Sequence, residues 1–156
     1  MKKNYKLLIL CIVIPLAVGS LAGFITKDSM ETFNMLNKPS LSPPGIVFPI
    51  VWSILYILMG IASYLVITTG SGNNKVKEAL VYYGLQLLFN FLWSIWFFSF
   101  GWYFFAFIWL LLLWVLIFNT MASFYDINKT SAYLLIPYLL WVTFAGYLNF
   151  AVYLMN

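Results

Sequence analysis

Long apolar stretches alternate with short polar connections along the chain. Five stretches, at roughly 7–26, 44–68, 79–100, 103–125 and 132–154, contain no acidic or basic side chain. A helix of about 20 apolar residues spans the ~30 Å hydrocarbon core of a bilayer. The pattern therefore predicts an all-α integral membrane protein, a bundle of five transmembrane helices that forms a single domain over residues 1–156.

The connections between these stretches predict how neighbouring helices meet. The polar segment between the first two stretches is long enough for a short amphipathic turn around Met30–Leu36. Only 99–102 separates the third stretch from the fourth, so we expect those two helices to be antiparallel neighbours. The first stretch follows MKK and resembles a signal peptide, but its length favours a retained first helix.

Prolines crowd the start of the second stretch, in the segment KPSLSPPGIVFPIVW at 38–52. We interpret Ser42 as a helix N-cap followed by Pro43 and Pro44 in the first turn, where proline loses no intrahelical hydrogen bond. Pro49 would then lie beyond the first turn and remove a backbone bond, so we expect a loosened turn just above Trp52.

The amino-acid composition excludes several kinds of catalytic and metal site. The chain is 64% hydrophobic and 8% charged, has no histidine and no arginine, and carries one cysteine, Cys11. These absences exclude histidine general bases, Cys/His zinc sites and an internal disulfide, and we predict no metal site. No basic patch predicts nucleic-acid binding. Asp126 and Glu78 lie at helix ends, which disfavours an ion-coupled transporter with an intramembrane carboxylate.

The lysines predict the orientation in the membrane. Six of them, Lys2, Lys3, Lys6, Lys75, Lys77 and Lys129, fall on one side of a five-span topology, and Lys27 and Lys38 fall on the other. Cytoplasmic loops carry the excess of lysine and arginine. We therefore expect a multi-pass protein of the cell membrane with a cytoplasmic N-terminus and with the first loop and the C-terminus outside.

Three predicted helices carry aromatic and amide side chains at helical spacing. The stripes are Pro49, Trp52, Tyr56 and Ser63 on the second, Gln86, Asn90, Trp93 and Phe97 on the third, and Tyr138, Trp141, Ala145, Leu148 and Asn149 on the fifth. Each stripe alone is typical of helix packing or interfacial anchoring. Depth along the helices, however, places Trp52 and Trp141 close enough to line one cavity. Such a cavity suits a flat, apolar, conjugated ligand.

Three motifs on separate helices, KPSLSPPGIVFPIVWSILYILMG, QLLFNFLW and PYLLWVTFAGYLNF, resemble the translocator protein family, also called the tryptophan-rich sensory protein or peripheral-type benzodiazepine receptor family. The resemblance covers about residues 20–152. It implies a five-helix bundle, frequently a homodimer, that binds porphyrins such as protoporphyrin IX and isoquinoline- or benzodiazepine-type ligands. No cofactor is required, because the porphyrin is itself the ligand or substrate.

The resemblance also implies a ligand site. Carried over by motif, its residues are Ala22, Phe33, Pro44, Phe48, Trp52, Tyr56, Asn90, Trp93, Trp141, Ala145 and Leu148. Bacterial members are linked to light- and oxygen-dependent porphyrin breakdown, for which Trp52 and Trp141 are the candidate catalytic residues. The arginine-containing cholesterol motif of animal members is not matched, since Phe150 and Leu154 occupy its positions. We therefore predict no dedicated cholesterol site.

Three hypotheses follow from these patterns. The first is a membrane receptor that binds tetrapyrroles and carries or senses them. The second is an enzyme that degrades porphyrin under light with its pocket tryptophans. The third is an inert bundle in which the aromatic stripes are only core packing.

Overall fold

The computed structural model describes residues 4–70 and 73–156, and helices make up almost all of that part of the chain. The helices are α1 (Tyr5–Thr26), α2 (Met30–Asn34), α3 (Val47–Thr69), α4 (Asn74–Ser94), α5 (Tyr103–Ile127), α6 (Lys129–Leu134) and α7 (Ile136–Met155), with a 3₁₀ turn at Lys27–Ser29 and a π turn at Ile95–Ser99. Five helical segments are long and apolar enough to cross a membrane, which confirms the predicted fold class. Lys2 and Lys3, which contribute to the predicted membrane orientation, lie outside the described residues.

Asparagine side chains begin several of these helices. Asn4 accepts a hydrogen bond from the Leu7 amide, Asn73 from the Lys75 amide, and Asn128 from the Ser131 amide, at 2.9–3.2 Å. α4 therefore begins five residues before the predicted boundary at 79, because its charged first turn is solvated rather than apolar. The predicted turn near Met30–Leu36 is present as α2.

The predicted start of the second span is wrong. α3 begins at Val47, so Pro43 and Pro44 belong to the loop, and Ile46 rather than Ser42 occupies the N-cap position. Pro49 is consequently the third residue of α3. The first amides of a helix have no intrahelical partner, so Pro49 removes no hydrogen bond. The loosened turn predicted above Trp52 is therefore wrong as well.

A π turn and a glycine make the sharp connection between α4 and α5. The π turn at Ile95–Ser99 extends α4, and the Trp102 amide then donates to the Trp96 carbonyl at 3.0 Å. Gly101 between them has φ +65°, a conformation that favours glycine. α4 and α5 pack side by side, which confirms that these two spans are antiparallel neighbours.

The fifth span, predicted over about 132–154, consists of two helices. α6 ends at Leu134 and α7 starts at Ile136, with Pro137 in its first turn. Proline cannot donate a bond into the preceding turn, so the helix breaks there. α6 packs against α3 and α5, whereas α7 packs against α5. α6 rather than α7 therefore provides most of the backbone contacts of the fifth span with α3.

The first loop and the C-terminal end of α7 are held together by a pair of amides. Asn156 Nδ2 donates to the Asn37 carbonyl at 2.9 Å, and the Asn37 amide donates to Asn156 Oδ1 at 3.1 Å. These bonds place the loop and the C-terminal end of α7 on the same side of the bundle, as a five-span topology requires. They also fasten the loop across the helix ends.

Candidate functional site

The half of the bundle that lies under the first loop contains a cavity of about 370 Å³. Its walls come from α1, α3, α4 and α7, and the loop between α1 and α3 forms its roof. The volume lies in the range of small-molecule sites, roughly 300–1,000 Å³.

The structure brings nine of the eleven predicted site residues to the wall of this cavity. They are Ala22, Phe33, Phe48, Trp52, Tyr56, Trp93, Trp141, Ala145 and Leu148. Pro44 is exposed in the loop because α3 begins three residues later. Asn90 is buried behind the wall, where it bonds to two tyrosines. Ligand contact by the nine residues stays a prediction.

The two predicted indoles meet in this wall. The rings of Trp52 and Trp141 lie 6.5 Å apart between centroids and at 88° to each other. Trp52 also stacks on Tyr56 at 5.6 Å, and Trp141 packs edge-on against Phe48 at 5.9 Å. Edge-to-face and offset contacts of this kind stabilise aromatic clusters and fix ring orientation. The cavity therefore has a wall made of aromatic rings in set orientations.

A chain of buried hydrogen bonds supports this wall from below. The Tyr56 hydroxyl donates to Asn90 Oδ1 at 3.5 Å, and Asn90 Nδ2 donates to the Tyr138 hydroxyl at 2.9 Å. Tyr138 in turn donates to Gln86 Oε1 at 2.7 Å. Buried polar groups require such partners, and the network joins α3, α4 and α7. Asn90 therefore positions Tyr56 rather than lining the cavity itself.

The Trp93 and Trp141 side chains in the cavity wall differ in their hydrogen bonding. Trp93 Nε1 donates to Asn149 Oδ1 at 3.0 Å, and Asn149 Nδ2 donates to the Tyr103 carbonyl at 2.8 Å. Trp141 Nε1 is buried and has no hydrogen-bond partner within residues 4–70 and 73–156. Trp141 can consequently donate a hydrogen bond to an acceptor atom of a bound molecule.

The roof of the cavity is a helical turn held by a lysine. Phe33 of α2 packs against Phe98 at 5.3 Å and Phe97 at 5.9 Å. The Lys38 ammonium donates to the Phe33 carbonyl at 3.1 Å and lies 4.8 Å above the Phe33 ring. It also donates to the carbonyls of Asn34 and Leu36. A cation at the C-terminal end of a helix is favourable there, so Lys38 stabilises the roof.

Sequence reasoning missed several wall residues. Pro49, Phe97 and Asn149 lie on the predicted stripes and reach the cavity, but they were not assigned to the site. Phe98 also lines it, next to Phe97, because the π turn at Ile95–Ser99 changes the helical spacing there. Lys38 and Gly19 also line it. Helical spacing could have found the first three, but no sequence signal marks the π turn.

The α1 wall is made of small residues. Gly19 lies directly against the Tyr56 ring, whereas nothing lies within 4 Å of the place that a side chain at Gly23 would occupy. Both glycines line the cavity. The two glycines thus differ: Gly19 packs in the seam between α1 and α3, and Gly23 leaves open space.

Fold and site together define a small multi-pass membrane protein with an aromatic-walled cavity under its first loop. The profile of the TspO/MBR family matches residues 11–154. The chain belongs to this family.

Individual relatives agree with this assignment. The chain is 40% identical over 157 residues to a tryptophan-rich protein TspO of Chlorobaculum tepidum, covering 100% of the chain and 99% of the relative. It is 36% identical over 154 residues to a protein of the same name from Archaeoglobus fulgidus, with 98% and 99% covered. It is 34% identical over 143 residues to the human translocator protein, with 90% and 85% covered.

Proposed function

We propose that this protein is a membrane receptor for tetrapyrroles such as protoporphyrin IX, and that the same cavity accepts isoquinoline- and benzodiazepine-type ligands. The observation that carries the proposal is the closed aromatic wall formed by Trp52 and Trp141 beneath the loop. A flat conjugated ring can stack on these faces and exclude water. The unpartnered Trp141 Nε1 supports one oriented hydrogen bond to such a ligand. Transport or sensing would follow from this binding step.

We expect saturable binding of protoporphyrin IX in the dark, measured as a shift of its Soret absorption on adding purified protein. Replacing Trp52 and Trp141 together by phenylalanine should raise Kd about tenfold, because two stacking contacts weaken by about 0.5–1.5 kcal/mol each. Trp102→Phe is the matched control, since Trp102 is exposed at the outer end of α5 and does not line the cavity. Its Kd should equal that of the wild type.

Two outcomes of this titration would contradict the proposal. Unchanged binding in the double variant removes both indoles from the site. Failure of any porphyrin or isoquinoline to shift the absorption or to raise the melting temperature favours the inert bundle, since a specific ligand stabilises by mass action.

The second candidate function is light-dependent breakdown of the bound porphyrin. The contact between Trp52 and Trp141 in the cavity wall favours it, because indoles are readily oxidised and lie beside the ligand position. The photoexcited porphyrin would supply the energy and dioxygen the oxidant. The same dark samples, when illuminated in air, should develop a new absorption band that Trp141→Phe abolishes. If porphyrin in detergent alone bleaches identically, the protein takes no part.

We also propose that the first loop and the C-terminal end of α7 face outward and that the N-terminus is cytoplasmic. The lysine distribution supports this orientation. Cys11 is the sole cysteine of the sequence and is buried, so the chain is a natural background for labelling. Ser40→Cys should react with a membrane-impermeant maleimide on intact cells, and Asn74→Cys only after lysis. The reverse pattern of labelling would show that the protein has the opposite orientation in the membrane.

We propose a homodimer on the strength of the family resemblance. A strip of apolar side chains on α4, with Val81, Leu85 and Leu88, is exposed in the single chain, and Gly84 beside it has open space. Small residues on such a strip allow close helix approach. The mass of the protein–detergent complex, measured by light scattering, tests this state.

A further inference from the structure

A second depression lies on the outside of the bundle, between the N-terminal halves of α3 and α7. Its walls are Val51, Ile54 and Leu55 of α3 and Pro137, Leu140, Trp141 and Phe144 of α7. We call this the α3/α7 groove. Ile54 and Leu140 are among its exposed side chains. Both helices are membrane-spanning segments, so the groove faces the hydrocarbon region.

Trp141 separates this groove from the inner cavity, because its side chain lines both. On the inner side it contacts Trp52 and Phe48, and on the outer side it packs against Phe144 at 5.6 Å. Its Nε1 makes no hydrogen bond within the described residues that would hold the ring in place. A rotation of one indole would therefore join the cavity to the lipid.

The loop side of the cavity is fastened in several ways. The amides of Asn37 and Asn156 bond reciprocally. Lys38 caps α2, and Phe33 is wedged against Phe97 and Phe98. Opening the roof requires these contacts to break together, whereas opening the groove displaces a single ring among apolar neighbours.

We propose that ligands reach the cavity from within the bilayer, through the α3/α7 groove, and that rotation of the Trp141 side chain opens this route. This inference rests on the proposed function, because it concerns the ligand of the same cavity. The conjugated ring of such a ligand partitions into the bilayer, and the groove offers that ring walls without charged groups. The ligand on its way inward, rather than a partner protein, occupies the groove.

The test is the kinetics of protoporphyrin IX binding to protein in liposomes, measured in the dark by stopped-flow Soret absorption. Leu140→Trp fills the groove and should lower the association and dissociation rates by the same factor, about tenfold, with Kd unchanged. Leu140→Ala widens the groove and should raise both rates. Leu154→Trp is the matched control: Leu154 is 66% exposed on the same helix, against 64% for Leu140, but lines neither depression.

A variant of the loop fastening completes the design. Asn156→Ala removes the amide pair and should leave both rates unchanged. Faster binding in Asn156→Ala would place the route through the loop, and equal rates in Leu140→Trp and Leu154→Trp would exclude the groove. Either result overturns the inference. Those results leave the proposed function standing, because the wild type still binds. If the wild type produces no Soret shift, both the proposed function and this inference are wrong.

Discussion

Gly60→Ala is expected to lower the melting temperature of the protein by about 5–10 °C. A Cβ atom at position 60 would lie 2.5 Å from the Ile12 Cα and 2.7 Å from the Cys11 carbonyl oxygen. Both atoms belong to the backbone and cannot rotate away, so α1 and α3 must separate. Overpacking of this kind costs about 1–3 kcal/mol, and each kcal/mol shifts the midpoint by about 2–4 °C at this size.

Gly23→Ala is the matched control for this prediction. Gly23 also lies within a membrane-spanning helix, α1, but no heavy atom lies within 4 Å of an added Cβ. Because alanine has a higher helix propensity than glycine by up to about 1 kcal/mol, its midpoint should stay or rise. Thermal unfolding in one detergent, without ligand, measures both variants. Equal midpoints for Gly60→Ala and Gly23→Ala would contradict the close crossing of α1 and α3.

Much of the fold could be predicted because the membrane limits the choices. Only helices of about 20 apolar residues satisfy their backbone groups in the hydrocarbon core, and five uncharged stretches supply them. The wrong predictions concern where helices begin and end, because proline and the local backbone conformation determine those positions. Pro49 fits the first turn of a helix as well as a kink within one, and the sequence does not say which of the two turns begins α3. Pro137, by contrast, was a visible sign of the break at Leu135.

Most of the predicted site residues do line the cavity, because helical spacing places their side chains on one face of each helix. Asn90 shows the limit of that reasoning, since it shares a face with Trp93 but lies behind Tyr56. Which member of a stripe reaches the cavity depends on the distance between neighbouring helices, and residue spacing along one helix does not contain that distance. Phe98 shows a second limit, because a π turn changes the spacing itself.

Gly19→Ala is expected to weaken protoporphyrin IX binding by about tenfold while changing the melting temperature less than Gly60→Ala does. An added Cβ at position 19 would overlap the Tyr56 ring, whose Cδ2 and Cζ atoms would both lie 2.8 Å away. A side-chain ring can move where a backbone cannot, so the strain is relieved inside the site. Tyr56 would leave Asn90 and turn toward Trp52, which removes cavity volume and disturbs the stacked pair.

Gly23→Ala separates this effect from the mere addition of a methyl group to α1. Gly23 lines the same cavity four residues further along the helix, with nothing within 4 Å of the new Cβ, so its Kd should stay within about twofold of the wild type. A double-mutant cycle then identifies the cause. In a Tyr56→Leu background the ring is gone, and Gly19→Ala should cost no further affinity. A full additional loss in that background would mean that Gly19 acts on the ligand directly and not through Tyr56.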